Sequence, residues 1–356
     1  MRFSLLLEAQ IDSPTRELER RALLDAVAQG VLAEELGYDG VWAVEHHGLV
    51  EYSHCSAPEV LLSFIAARTS TIAIGHAVTL TPGRYNHPIR VAERVAMLDV
   101  LSGGRVRWGS GKSASLTEQG SFGIQPDELD SQWREALEMI PRMWRAELFE
   151  WQGTNYQIPP TAVVPKPVQQ PHPPIYAACS RPESIVLAGS LGVGSLNFAA
   201  GNDDQLEDKV RSYRQAVQGA RVYGRQVLDQ FCCTPAALVL SDDRTACEVG
   251  FRGARFFTEA LATYFFSPTR VVGGLDVSRG PLTAPQLETA MQSRRPERGQ
   301  LNCVIGDPAA ARDSVERFRA AGVDELILVM ALGTIPNDVV CTSMRLFAEE
   351  VMPHFR

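Results

Sequence analysis

Between Leu36 and Ser113 one pattern repeats, and it restricts the fold more than any other feature: a helical stretch, a tight turn, and a short apolar run that stops at polar residues. Ala33-Glu34-Glu35-Leu36-Gly37-Tyr38-Asp39-Gly40 reads as a helix end with a glycine stop. Val41-Trp42-Ala43-Val44 follows as a buried strand and ends at Glu45-His46-His47, so an acid and two imidazoles are delivered to a strand's carboxyl end. Adjacent strand residues point to opposite faces, so one of His46 and His47 faces a cavity and the other braces the loop. The unit recurs as a helix over 58–67 with Pro58 in its first turn, a strand over 71–79, a helix over 88–101, the turn Ser102-Gly103-Gly104 and a strand over 105–109. Such alternation with short turns requires parallel strands covered by helices.

The rest of the chain extends the rhythm. A strand over 2–8 and a helix over 14–37 come first. Within 115–174 the pattern changes to an amphipathic helix over 126–149 carrying Trp133, Leu137, Ile140 and Trp144, then a proline-rich connector over 159–174. Strands over 175–179, 193–198 and 231–240 alternate with helices over 182–191 and near 203–222. Residues 245–300 hold aromatics (Phe256, Phe257, Tyr264, Phe265, Phe266) and then a Gly/Pro/Arg-rich stretch, which fits either a mobile lid or an oligomer surface. A helix over 307–321, a strand over 325–330 and a helix over 336–352 close the chain. The count is eight strands. With 356 residues, 45% of them hydrophobic, the chain suits a single α/β (β/α)8 TIM barrel domain with insertions at about 115–174 and 245–300. Such a barrel places its chemistry at the carboxyl ends of its strands. Those ends are Glu8, His46/His47, Thr79, Gly109 to Ser113, Ala178 to Ser180, Asn197/Phe198, Val239/Leu240 and Met330.

Charge and cysteine usage exclude several classes. Lys+Arg of 34 against Asp+Glu of 42 gives a net charge of −8 with no basic block, which argues against nucleic acid and anionic membranes as partners. The partner is then a small molecule. Met1 to Leu7 meets an acid at Glu8, too early for a signal peptide, and no apolar run nears the roughly 20 residues that span a bilayer. Seven cysteines without a CxxC pair argue against a disulfide framework or structural zinc, and fit reduced thiols in the cytoplasm.

Several motifs fail on spacing. Gly111-Lys112-Ser113 lacks the glycine of a P-loop, since Val106 stands there; Gly109-x-Gly111 and Gly192-x-Gly194 lack the third glycine of a dinucleotide fingerprint, since Ala114 and Asn197 occupy it. No nicotinamide domain and no HExxH or other metal-ligand spacing is present in the sequence. What remains at Gly109 to Ser113 is a small-residue strand end beside a cation, suited to a flat ring and a phosphate, or else a plain tight turn. Ser180-Arg181-Pro182-Glu183-Ser184 starts a helix at a strand end, with Ser180 as cap. It reads as a phosphate cradle or as an ordinary Ser180–Glu183 capping box. Cys179 has no histidine near it in sequence and reads as a small buried residue. His54, His76 and His87 read as scaffold.

Beyond these spacings, further stretches carry a resemblance: Tyr52-Ser53-His54-Cys55-Ser56-Ala57-Pro58-Glu59, Asn86-His87-Pro88-Ile89-Arg90-Val91-Ala92-Glu93, Leu98-Asp99-Val100-Leu101-Ser102-Gly103-Gly104-Arg105 and Gly306-Asp307-Pro308. Together with the histidine stretch and Ser180 to Ser184, they resemble the bacterial-luciferase-like flavin monooxygenase family, most of all its limonene-monooxygenase-like branch. Residues 245–300 fall outside this resemblance. It implies an FMNH2-dependent, two-component monooxygenase. Such an enzyme adds O2 at the flavin C4a carbon and uses the peroxide to oxidise a small organic substrate. Flavin would be reduced by a separate NAD(P)H:FMN reductase, and the oxygenase would be a homodimer. The family's strand-two histidine falls on His46, which with His47 forms the catalytic position. Cofactor contacts fall on Ala77, Val78, Thr79, Gly111, Lys112, Ser113, Ser180, Arg181 and Ser184, with lysine at 112 where arginine is usual and a non-proline cis peptide at Ala77-Val78. The position of luciferase's reactive cysteine falls on Gly111. Tyr52, Tyr85, Trp108 and Phe198 near the predicted mouth fit an apolar or aromatic substrate, or plain packing. Two alternatives stay open: an F420-dependent oxidoreductase that transfers hydride, and a non-catalytic flavin-binding protein.

Overall fold

The computed structural model describes residues 1–198, 205–222, 226–267, 271–272, 274–294 and 302–356. Its elements run β1 (Arg2–Leu7), α1 (Arg16–Glu35), β2 (Gly40–Ala43), α2 (Pro58–Ala66), β3 (Ala73–Leu80), α3 (Pro88–Ser102) and β4 (Val106–Gly111). The next segment holds α4 (Leu116–Phe122), α5 (Leu129–Met143), β5 (Phe149–Gln152) and β6 (Gln157–Thr161). Alternation resumes with β7 (Ile175–Cys179), α6 (Pro182–Ser190), β8 (Gly194–Asn197), α7 (Leu206–Gln218) and β9 (Phe231–Cys233). The chain ends with β10 (Ala236–Val239), α8 (Asp243–Phe266), α9 (Ala284–Ser293), β11 (Cys303–Gly306), α10 (Pro308–Ala320), β12 (Glu325–Leu328) and α11 (Asn337–Glu350). Local chemistry sets many boundaries. Thr15 caps α1 by accepting from the Leu18 amide, Pro88 occupies the first turn of α3, and Gly103 ends α3 at φ 70°.

The strands β1-β12-β9-β8-β7-β4-β3-β2 form a closed parallel barrel, with Ser4 of β1 opposite both Gly40 and Ile327. These are the eight strands expected from the alternation, so the (β/α)8 architecture stands. The seventh differs from its expected form. A continuous strand over 231–240 is broken at Thr234-Pro235, because proline has no amide to give the ladder. Its first half stays in the barrel as β9, while β10 pairs in parallel with β11, a strand the sequence reading left unassigned. The helix expected over 126–149 stops at Met143, two residues past Pro141, and Phe149 opens the antiparallel β5–β6 hairpin instead. In the 245–300 segment, Phe256, Phe257 and Tyr264 are buried on α8 rather than exposed as a patch; Phe266 is 74% exposed. The part of that segment's expectation that falls on 268–270, 273 and 295–300 lies outside the described residues.

Inside the barrel, large side chains sit against glycines. A Cβ at Gly75 would run into the Trp42 ring, and one at Gly194 into Tyr176; these two rings meet edge-to-face at 5.1 Å. At the amino-terminal end, Glu325 is fully buried. It accepts from Ser4 Oγ at 2.6 Å, Trp42 Nε1 at 3.1 Å and Arg107 at 3.0 Å, with Arg2 at 3.2 Å. That end is sealed, and the carboxyl ends are left to carry the site.

Candidate active site

Gly40 and Trp42 point into the barrel, and the same parity carries His46 over its mouth once β2 has ended. His46 Nδ1 lies 3.0 Å from Glu118 Oε1, and its ring is 5.1 Å from Tyr52 and 5.7 Å from Phe265. Glu118, fully buried on α4, also accepts from the His47 backbone amide at 2.9 Å and from the Ser113 hydroxyl. Ser115 begins α4 by accepting from the Glu118 amide, which fixes the direction of that carboxylate. The His47 ring turns elsewhere. Its Nε2 is 3.1 Å from Glu45 Oε1, between Tyr85 at 6.1 Å and Phe122 at 4.9 Å. Glu45 in turn accepts from the Leu80 amide and Asn86 Nδ2, tying the loop after β2 to the loop after β3. His46 therefore faces the mouth and His47 braces the loop.

Burial opposes charge on His46, yet the charge and hydrogen bond of Glu118, with Glu8 and Glu45 nearby, hold its pKa above the ordinary value. Burial likewise opposes the Glu118 carboxylate, and His46 together with hydrogen bonds from Ser113 and the His47 amide holds its pKa down. The two form an imidazolium–carboxylate pair in a low-dielectric setting. Glu8, at the end of β1 and 2% exposed, is the third member. Burial pushes its carboxyl up to about 7 against the pull of His46, Ser53 and Tyr52, and its Oε2 has no hydrogen-bond partner among the described residues. Sequence reasoning named Glu8 only as a strand end and missed Glu118. The signal for Glu8 was parity, since Ser4, Leu6 and Glu8 alternate into the interior.

At the ends of β3, β4 and β7 the floor of the mouth is made of small residues. The Ala77–Val78 peptide is cis. Gly111 leaves the space beside Val78, where a Cβ would collide with the Val78 side chain and come within 3.7 Å of Ala178 Cβ. Ala178 is exposed although it lies within β7, and the buried Thr79 hydroxyl has no partner among the described residues. Ser110 pairs with Ala177, so Lys112 and Ser180 leave neighbouring strand ends. Lys112 is ion-paired with Asp130 and sits 5.5 Å from the centre of the Trp133 ring.

Helix α6 corrects the expected cap. Arg181, not Ser180, is the N-cap residue, and Ser184, not Glu183, closes it: Ser184 Oγ accepts from the Arg181 amide at 3.1 Å and donates to its carbonyl at 2.6 Å. Pro182 holds the first helical position, so the cap must precede it. Ser180 and Arg181 are exposed at this helix start. A flat ring with an anionic tail fits this arrangement, with Val78, Gly111 and Ala178 as floor and Lys112, Arg181 and the α6 amides as anion partners.

Of the expected substrate residues, Trp108 is misplaced. It is fully buried and packs edge-to-face on Trp144 at 5.4 Å, in the helix layer outside the barrel. Gly109 and Gly111 take the inner face of β4, so Trp108 and Ser110 must take the outer one. Tyr52 stays at the mouth, buried between His46 and Phe257, while Tyr85 packs with His47 and Phe122. Phe198 lines a cavity of about 400 Å³ and lies 6.0 Å from Phe257. A second cavity, of about 450 Å³, opens between α1 and the loop after β12, with Ala9 and Gln10 in its wall. Cys179 is buried, which pushes its thiol up to about 11, as a packing residue.

Comparison with known proteins agrees with this geometry. An uncharacterized protein of Sinorhizobium fredii, y4wF, is 32% identical over 93% of this chain and 92% of its own. The oxygenase component of the flavin-dependent trigonelline monooxygenase of Acinetobacter baylyi is 24% identical over 100% of this chain and 96% of its own. F420-dependent glucose-6-phosphate dehydrogenases also match; that of Microbacterium testaceum is 33% identical over 50% of this chain and 53% of its own. The crystal structure of the monooxygenase RslO1 from Streptomyces bottropensis has the same fold, with a TM-score of 0.84 at 24% identity over all of both chains. The sequence profile of the luciferase-like monooxygenases matches residues 1–325, running through the 245–300 segment that the motif resemblance leaves out. A barrel mouth of this shape with a match of that extent has one reading: the chain belongs to the luciferase-like monooxygenase family.

Proposed function

We propose that this protein is the oxygenase component of a two-component, FMNH2-dependent monooxygenase acting on a small apolar or aromatic compound. The observation that carries the reading is the buried His46–Glu118 pair at the same carboxyl end of the barrel as the small-residue floor of Val78, Gly111 and Ala178. Reduced FMN, when bound, supplies two electrons to O2, so that one oxygen atom enters the substrate and the other leaves as water. His46 holds a proton at Nδ1 or Nε2 beside the site of oxygen chemistry, and Glu118 keeps that imidazole charged and oriented. Tyr52 and Phe265 pack on His46, with Phe257 behind Tyr52, and exclude water. Lys112, Ser180, Arg181 and the α6 amides hold the phosphate, Ala77, Val78, Thr79 and Gly111 shape the floor, and Ser184 acts through the cap. Ser113, the remaining expected cofactor contact, also donates its hydroxyl to Glu118.

With no nicotinamide fingerprint, hydride must reach flavin on a separate NAD(P)H:FMN reductase. No helix among the described residues is long and apolar enough to cross a membrane, and we place the protein in the cytoplasm, where NAD(P)H is available. A homodimer is supported by α2 and α3, which pack together and expose Val60, Phe64, Met97, Val100 and Leu101. Phe64→Glu is expected to convert the dimer to monomers in light scattering; a dimer that persists removes this face as the interface.

FMN is the reading taken first because a flavin-dependent oxygenase component aligns with the whole chain; F420-dependent relatives align with between about half and 93% of it, so alignment length alone does not separate the two cofactors. Anaerobic titration decides between them. Photoreduced FMN is expected to bind and to be reoxidised by O2 more slowly on the protein than free in solution. Binding of reduced F420 in preference, with no response to O2, would overturn the assignment.

A further inference from the structure

The cavity of about 400 Å³ lies between α8, α9, the end of β8 and the start of β10, with Phe198, Phe251 and Phe257 among its walls. It abuts the candidate active site: Phe257 is 4.9 Å from Tyr52, which is 5.1 Å from His46. Its polar atoms are unevenly satisfied. Asn302, 8% exposed, has an Nδ2 with no partner among the described residues, and so has Arg255 Nε. The other polar groups on the wall are engaged. Thr234 Oγ1 donates to the Asn197 carbonyl, Gln286 Oε1 accepts from Thr283, and Glu259 accepts from the Ser278 amide. Glu259 also lies 4.0 Å from Arg255 Nε, beyond hydrogen-bond reach. The unpaired groups are therefore donors, in a chamber otherwise walled by aromatic and aliphatic side chains. Buried donors without partners are uncommon in folded chains, and a ligand that brings acceptors completes them.

We propose that this cavity holds the organic substrate, an apolar molecule that presents a carbonyl or carboxylate oxygen to Asn302 Nδ2 and Arg255 Nε. The assignment rests on the monooxygenase reading for the word substrate, but the binding it requires does not. An aromatic body packs against Phe198 and Phe257, with its oxygen end at Asn302 and Arg255.

The test uses the full chain and two probes, 4-phenylbutanoate and 4-phenylbutan-2-one, followed by titration calorimetry. At least one is expected to bind saturably at one site per chain. Asn302→Leu is expected to weaken that binding about tenfold or more, the effect of leaving a polar partner unpaired, and Ala254→Phe, which fills the cavity, to abolish it. Arg255→Gln separates the sources: it weakens the acid far more than the ketone if a carboxylate is the natural group, and both alike if a carbonyl is. FMN titration and the thermal transition of each variant are expected to match the parent, which shows that the chain is folded. Saturable binding of neither probe, or binding indifferent to both Asn302→Leu and Ala254→Phe, overturns the proposal. Failure of reduced FMN to bind the parent would instead overturn the monooxygenase reading while leaving the cavity result standing.

Discussion

The two ends of the barrel each bury carboxylates, and they treat them in opposite ways. At the amino end Glu325 has both oxygens engaged, by Ser4, Trp42, Arg2 and Arg107. At the carboxyl end Glu118 is matched to His46, but Glu8 keeps one oxygen without a partner among the described residues. Strand β1 reaches both, with Ser4 bonded to Glu325 and Glu8 just past its other end. A charge with every lone pair satisfied makes a rigid plug. A carboxyl left short of partners has its proton affinity raised into the physiological range, where it can exchange protons with a neighbour. In parallel barrels the first kind of end serves stability and the second serves chemistry.

The largest effect that would break this contrast is at the plug. Glu325→Ala leaves Arg2 and Arg107 without their shared carboxylate and is expected to cost about 3–5 kcal/mol of folding free energy. A urea melt with unchanged slope reads it directly. A shift under about 1 kcal/mol would mean that the amino end is not the plug described. Next comes His46→Asn, expected to lower product formed per FMNH2 oxidised by about 10² to 10⁴ while moving the urea midpoint little. Collapse of stability instead would place His46 with the scaffold.

The smallest effect sharpens the comparison through pH. The Glu8 carboxyl is raised by burial to about 7 from 4.5, so folding takes up a proton between those values. Stability owed to this group is present below about pH 4.5 and is lost as pH rises toward 7, above which the curve is flat. Glu8→Gln removes that slope, so the variant should gain on the parent by up to about 3 kcal/mol between pH 4.5 and 7.5. Parallel stability curves for the two proteins would show that Glu8 is already satisfied.

Much of the site was legible because strands and helices announce themselves locally. Parity and strand ends put one of His46 and His47 and the small-residue stretch Gly109 to Ser113 at the mouth, and the family resemblance singled out His46 and Gly111. Trp108 was misread although the same parity argument excludes it: one face of β4 cannot carry both Gly111 and Trp108 into the mouth. The break at Pro235 was also written in the sequence, as a residue without an amide donor. Glu118 was not, because it reaches His46 from 72 residues away on a different element.

The sequence by itself determined the architecture and the end of the barrel that carries polar chemistry, since alternation, glycine stops and strand parity are properties of neighbouring residues. Only tertiary structure decided that Glu118 meets His46, that Ser184 rather than Glu183 closes the α6 cap, and that Asn302 and Arg255 border one cavity with donors to spare. Those outcomes depend on how strands register when the barrel closes and on which distant side chains are then buried together, and no local spacing encodes either.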